Sequence, residues 1–543
     1  MIREVKPDLT ANTHGQIPPK TAPLSPPWHL YHDTIVIASS KYHKHKTKTD
    51  RCKAMSIQQL LDTQDALVSA AHPALADGNL DVERCARLHN HLVALSWMER
   101  NEKNSNELEE LASSAHWSYF SVFGDEADQV RERLDPQLAQ FLESILVPTD
   151  EERSELFLWV QGVASPDEIQ DDEKLETFNA EDQETEDGVP LFALLYPMVA
   201  NLAPHSLGVV YHQELRRVAF VKTIWEAELV TPPDEHEEVW MPLESLLSHW
   251  INLVQRGKVS LGPPRWENDD LQGVWRIEAF GEAQVTRTVA AFERLVSTIE
   301  QQMDPQQLLQ VEGDKPLLTN ADLNAAGAPE ICFARSFLTQ VRTPRFKRIA
   351  PGLEVPHDAA AFASRQVFTR LQSQQDEDDD RPVVPPVLMF ASSDGSTVNF
   401  DSDDEYISKN PFPREMHLQP GEHSVPAGLY SESVKLGSMD IAGEGFRLLL
   451  PFGLRGSEDG ARLSDGGPVA EGSISDLFQH GNFPLGGLDR AQRLERLFDA
   501  WDSLVERGVW AIGPDGVEGS TETFRDADNG SWEDYWIPLD VEI

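Results

Sequence analysis

One stretch of the chain occurs twice, and it limits the possible folds more than any other feature. Residues 243–263 read LESLLSHWINLVQRGKVSLGP and residues 494–514 read LERLFDAWDSLVERGVWAIGP; with no gap, ten of the 21 positions are identical. In the second copy Leu494, Leu497, Phe498, Trp501, Leu504 and Val505 are apolar at i, i+3, i+4, i+7, i+10 and i+11, one stripe of an amphipathic helix. Leu243, Leu246, Leu247, Trp250, Leu253 and Val254 repeat that spacing. A Glu opens each helix and an Arg closes it, as the helix dipole favours. Gly257 and Gly508 follow where a left-handed cap is expected. A short strand ending at Gly-Pro comes next in each copy. Any buried helix wants a stripe and a glycine stop, but the matched Trp, Glu, Arg and Gly-Pro ask for more. Gly273-Val274-Trp275 and Gly530-Ser531-Trp532 extend the parallel, whereas Trp240-Met241-Pro242 precedes its helix and Trp536-Ile537-Pro538 follows the other. Two copies so far apart predict a two-lobed protein rather than a solenoid.

The remaining pattern predicts an α+β chain: a helical N-terminal domain, then an α+β body with two related helix–strand units. The expected divisions are a basic, disordered tail over 1–54, a helical domain over 55–165, an acidic linker over 166–188, a first α+β unit over 189–375, an acidic and Pro-rich linker over 376–386, and a second α+β unit over 387–543. The tail carries nine Lys or Arg against four Asp or Glu in residues 1–53, and helical patterning begins at Met55, an expected alternative start. In the helical part, Cys85, Leu88, Leu92 and Leu95 form one inward stripe and Leu138, Phe141, Leu142 and Ile145 another. Leu156–Val160 reads as a further apolar piece of the same part. Residues 167–187 hold 11 acids and one Lys, the mark of a solvated insert. Beyond them, 207–211 and 218–225 predict a hairpin, and Ser393-Asp394-Gly395-Ser396 between apolar runs predicts a second.

Charge removes several functions. The net charge of −45 is hostile to phosphate backbones and to anionic membrane surfaces, so neither nucleic acid nor membrane is expected as a partner. It suits a basic protein partner. Three irregularly spaced cysteines argue for a reducing compartment. With no leader-like apolar run at the start, the cytoplasm is expected, with the nucleus as alternative. The 13 Trp and 23 Phe support a substantial core.

Four segments carry a resemblance: AFERLVSTIE (291–300), FLTQVRTPRFKRIAPGLEVPHDAAAF (337–362), GFRLLLPFGLR (445–455) and RLERLFDAWDSLVERGVWAIGPDGVEG (493–519). They resemble a group of uncharacterised proteins from filamentous fungi, over roughly residues 190–543. The resemblance implies a fungal, intracellular setting and transfers no site residue.

No phosphate loop, dinucleotide fingerprint, nucleophile elbow, HExxH or CxxC occurs, so no cofactor and no metal is expected. Cys85 and His89 lie one helical turn apart, but two ligands are too few and core packing explains them. Asp526–Asp534 has a calcium-like composition with its glycine one place early, and a turn is the simpler reading. Cys332 with His357 is a conceivable pair that sequence cannot join. The most unusual polar cluster is cationic: Arg342, Arg345, Lys347 and Arg348 either bind an anionic ligand or neutralise an acidic segment such as 167–187 or 376–380. The leading functional expectation is protein–protein contact. An enzyme with a pocket between the two α+β units, serving fungal secondary metabolism, is the alternative, and a nuclear regulator the third.

Overall fold

Nineteen residues from Val82 to Arg100 form the first long helix (α1), and its stripe of Cys85, Leu88, Leu92 and Leu95 is buried as the spacing requires. The computed structural model describes residues 60–100, 117–148, 156–178, 190–199, 205–263, 273–311, 315–371, 381–400, 410–412, 424–436, 442–481 and 491–539, apart from 77, 172, 177, 235 and 458. The expected tail, the run at 376–380 and the acids at 401–405 lie outside these. Helices and several small sheets are both present, so the architecture is α+β.

Asp135 caps the helix Pro136–Ser144 (α2), accepting from the backbone N–H groups of Gln137 and Leu138, with Pro136 in the first turn. Leu138, Phe141, Leu142 and Ile145 are buried from it. Three strands follow: β1 (Phe192–Pro197), β2 (Ser206–His212) and β3 (Arg217–Thr223), paired antiparallel in that order. The β2–β3 hairpin matches the sequence expectation, except that its second strand stops at Thr223 and a 3-10 helix carries on with Trp225. Leu156–Val160 is no helix. Phe157 and Val160 bridge each other, Val199 N–H donates to Trp159 O, and both aromatics face inward. Nor is the whole acidic segment a free linker. Ile169, Leu175 and Phe178 are fully buried, and Leu194 N–H donates to Ile169 O. The three apolar residues among the acids supply the burial that the charges obscured.

The two repeated stretches are helices of 13 residues each, α3 (Leu243–Gln255) before β4 (Val259–Leu261) and a partner strand further on. That partner, β5 (Trp275–Ile277), pairs antiparallel with β4. Next come the 21-residue α4 (Glu282–Gln302), α5 (Phe333–Leu338), β6 (Arg348–Ala350), β7 (Leu353–Glu354) and α6 (Ala359–Arg365). Strands β8 (Leu388–Ala391), β9 (Gly428–Ser431) and β10 (Phe446–Leu449) form a sheet ordered β10-β9-β8. The second repeated helix, α7 (Leu494–Glu506), leads into β11 (Ile512–Gly513) and β12 (Gly516–Val517), and β12 joins β6 in parallel.

The hairpin expected around Asp394-Gly395 has the turn but not the pairing. Asp394 accepts from Ser392 Oγ and from Ser396 N–H, and Gly395 sits at φ 72°. Yet β8 takes its ladder from β9, while Thr397–Asn399 pairs with Ser424–Pro426. The turn lets the chain leave one sheet for another.

Trp250 and Trp501 are both fully buried, and Gly257 and Gly508 both adopt φ near 70°. The surroundings differ. Helix α3 buries ten residues, on more than one face, against α1 and β3, and Trp250 stacks on Phe157 at 5.1 Å and 12°. Helix α7 buries six residues in one stripe against α4, and Trp501 meets Phe498 and Trp510 edge-on or tilted. Trp275 is buried in β5, whereas Trp532 lies half-buried on a 3-10 turn under Arg462. The local motif recurs; its packing does not.

Buried apolar residues gather in two main clusters. One runs from Leu60 to Trp275 and joins α1 and α2 to β1–β3 and α3; the other runs from Val285 to Ile537. The apolar division therefore falls near residue 280. A buried ion pair crosses it: Lys258 Nζ lies 2.7 Å from Glu444 Oε2 and donates to Ala279 O, while Gln284 donates to Glu444 Oε1 at 2.8 Å. Lys258 is 0% and Glu444 3% exposed at the side chain, so each charge relies on the other and on these hydrogen bonds.

Candidate functional site

The strand β7 ends at Glu354, and Val355-Pro356-His357 then turns the chain into α6. Asp358 fixes the helix start by accepting from the backbone N–H groups of Ala360 and Ala361. Proline before the turn and an Asp cap after it favour a helix start at this point. Phe362 on α6 points inward and is 5% exposed. Gln366, just past the helix, is tied to β8, donating to Leu388 O and accepting from Leu388 N–H, both at 3.0 Å.

Between α6, β7 and β8 lies a cavity of about 220 Å3. Val355, Phe362, Leu388 and Met389 give it an apolar floor. Lys347, Glu354, His357, Asp358 and Arg365 give it a polar rim. Drug-sized ligands generally occupy about 300 Å3 or more, so this space suits a smaller molecule. The rim residues are held but not locked. Arg365 meets Glu354 at 3.1 Å, and Lys347 meets Asp515 at 2.9 Å, both as half-exposed pairs worth at most about 1 kcal/mol. His357 Nε2 is 2.7 Å from Phe346 O. A carbonyl only accepts, so Nε2 carries the proton and Nδ1 of the neutral ring is left as an acceptor.

The four cations expected to bind an anion do not converge. Arg342 reaches Glu293 at 2.7 Å and Glu300 at 2.9 Å, both on α4. Arg345 Nε donates to Leu309 O, and its backbone N–H donates to Glu300. Lys347 and Arg348 face Asp515 instead, Arg348 at 3.9 Å. The neutralising acids are therefore Glu293, Glu300 and Asp515, not the described part of 167–187. Lys347 alone of the four lines the cavity.

Cys332 and His357 have separate partners: Cys332 Sγ faces Pro329 O at 3.6 Å, and burial raises its thiol above the ordinary range. Cys85 and His89 do not share a ligand either. Cys85 Sγ donates to Glu244 Oε2 at 3.5 Å, and burial first, the Glu244 carboxylate second, push the thiol well up. His89 Nε2 donates to Leu146 O, and Nδ1 accepts from Tyr196 Oη at 3.0 Å. Among the described residues no group of three or more His, Cys, Asp or Glu could hold a metal ion. At the acidic loop, Asp528 accepts from Arg455 N–H and Ala461 N–H, a structural tie. Among the described residues, no helix is long and apolar enough to cross a membrane.

Sequence reasoning named Lys347 and His357 but not Glu354, Arg365 or the floor. The floor joins residues 355–366 to residues 388–391 across intervening chain, a juxtaposition without local periodicity. Comparison with protein-family models, with curated proteins and with solved structures gave no match.

Proposed function

We propose that this protein binds a compact small molecule in the cavity beneath α6. The observation that carries the reading is a single one: an apolar floor closed by Phe362, Leu388 and Met389, with a histidine acceptor and both signs of charge at its mouth. That composition, apolar walls and a few convergent polar groups, is the usual make-up of ligand sites. It supports the enzyme alternative as far as binding, since His357 lines the rim. Filling the space tests it. Ala361→Phe places a ring in the cavity from α6. Small fragments that raise the melting temperature of the native chain should lose that effect in the variant. A ligand at a hundred times its Kd stabilises by about 2.7 kcal/mol, well within reach of calorimetry. Fragments that stabilise both proteins equally would refute the site.

A second reading, contact with a protein partner, draws on two exposed apolar side chains. Trp225 is 62% exposed beside His205, and Ile331 is 80% exposed ahead of α5. Exposed tryptophans are favoured anchors in interfaces.

A further inference from the structure

The rim of the cavity also restricts the charge of what enters. Glu354 and Arg365 are partners there, Lys347 is matched by Asp515 just behind it, and Asp358 is engaged in capping α6. With Arg348 also beside Asp515, three cations and three acids offset one another. A ligand with net charge would split one pair and leave its other member uncompensated, at a cost that the low-polarity floor increases. A ligand with both charged groups on one carbon would exchange one weak surface pair for two contacts of its own. We infer that the cavity takes a free apolar α-amino acid, its side chain on Phe362, Leu388 and Met389, its carboxylate toward Arg365 and Lys347, and its ammonium toward Glu354 and His357 Nδ1.

This inference rests on the cavity being the ligand site. Three observations carry it. The volume, about 220 Å3, is that of a whole amino acid rather than a drug-sized molecule. The floor holds no charge, so the apolar part of the ligand goes there. The Phe346 carbonyl holds a proton on Nε2 of His357, so in the uncharged ring Nδ1 is the acceptor, and His357 and Glu354 line the same cavity. A peptide terminus has only one of the two charges at its end and would leave the other half of the rim unmatched. The acidity of the whole chain, −45, further disfavours a simple anion.

The test is isothermal titration of the full chain with L-leucine and L-phenylalanine. Beside them run 4-methylpentanoate, which lacks the ammonium, and 3-methylbutylamine, which lacks the carboxylate. At least one amino acid should bind, and both truncated compounds should bind about tenfold more weakly or less, each having lost a charge-assisted contact. Glu354→Gln should remove the preference for the amino acid over 4-methylpentanoate, and Arg365→Gln the preference over the amine. Both positions are half-exposed, so unchanged melting temperatures would establish that the variants fold. Equal binding of either truncated compound would overturn the inference. So would failure of both amino acids while fragments still bind in a manner lost in Ala361→Phe; the cavity reading would then survive alone. If neither amino acids nor fragments respond to Ala361→Phe, both ideas fall together.

Discussion

His89 is held by Tyr196 on one ring nitrogen and by the Leu146 carbonyl on the other, in the middle of the first cluster. Burial pushes its pKa down to about 4, and does the same at His212; His91 is lowered for the same reason. In the unfolded chain these rings titrate near 6.5. Between the two values the unfolded state takes up protons that the folded state refuses. The stability they contribute is therefore complete above about pH 6.5 and lost as pH falls toward 4, at up to about 1.4 kcal/mol per pH unit per ring. Urea titrations at stepped pH should show this limb, and His89→Gln should be less stable at pH 7 yet show a slope shallower by one proton. An unchanged slope would mean that His89 is charged in the native state. The burial of His89 was partly visible in the sequence, since it lies one helical turn from Cys85 on the apolar face. Its hydrogen-bond partners were not, because Tyr196 and Leu146 come from other elements.

At the scale of elements, the spacing of apolar residues located α1, α2, α3 and α7, because a helix writes its burial into one continuous stretch. It failed where burial comes from far away, as at Phe157, Trp159 and Ile169, and where a turn links strands of different sheets, as at Asp394. The candidate site was less legible still: its cationic run points two ways, and its floor is assembled from separate segments. Glycine stops were readable, and they are not equal in cost. At Gly508 φ is 72° and an added Cβ would meet nothing within 4 Å, so Gly508→Ala should cost about 1–2 kcal/mol of backbone strain. Gly352, in the β6–β7 turn, has φ 69°, and its Cβ would collide with the backbone of Ser520 and Thr521. Gly352→Ala should cost clearly more, because that segment would have to move. Equilibrium denaturation of the two variants compares them directly, and equal losses would contradict the packing of the turn.

For the molecule as a whole, the Lys258–Glu444 pair sits where the two apolar clusters meet. Lys258→Met strands a buried carboxylate and should cost about 3–5 kcal/mol. Adding Glu444→Leu should recover part of that loss, since the orphaned charge goes with it. A double variant less stable than the single one would show that the hydrogen bond from Gln284 to Glu444, rather than charge pairing, dominates. The repeated helices bear on this scale too. Their sequences promised two lobes built alike, and each does carry a helix, a glycine stop and a short strand. Their neighbours differ because α3 is wedged between α1 and β3, while α7 lies along α4.

The wedging of α3 governs where the polypeptide can be cut. Severing it at residue 189 would strip away Phe157, against which Trp250 stacks, and Cys85, which meets Glu244. The remainder would show water a broad greasy face with a carboxylate in its midst. Such a fragment should precipitate when expressed by itself and become soluble only when residues 52–188 are supplied as a second polypeptide. The segment before residue 189 is thus part of the same core as α3, not a separately folding domain.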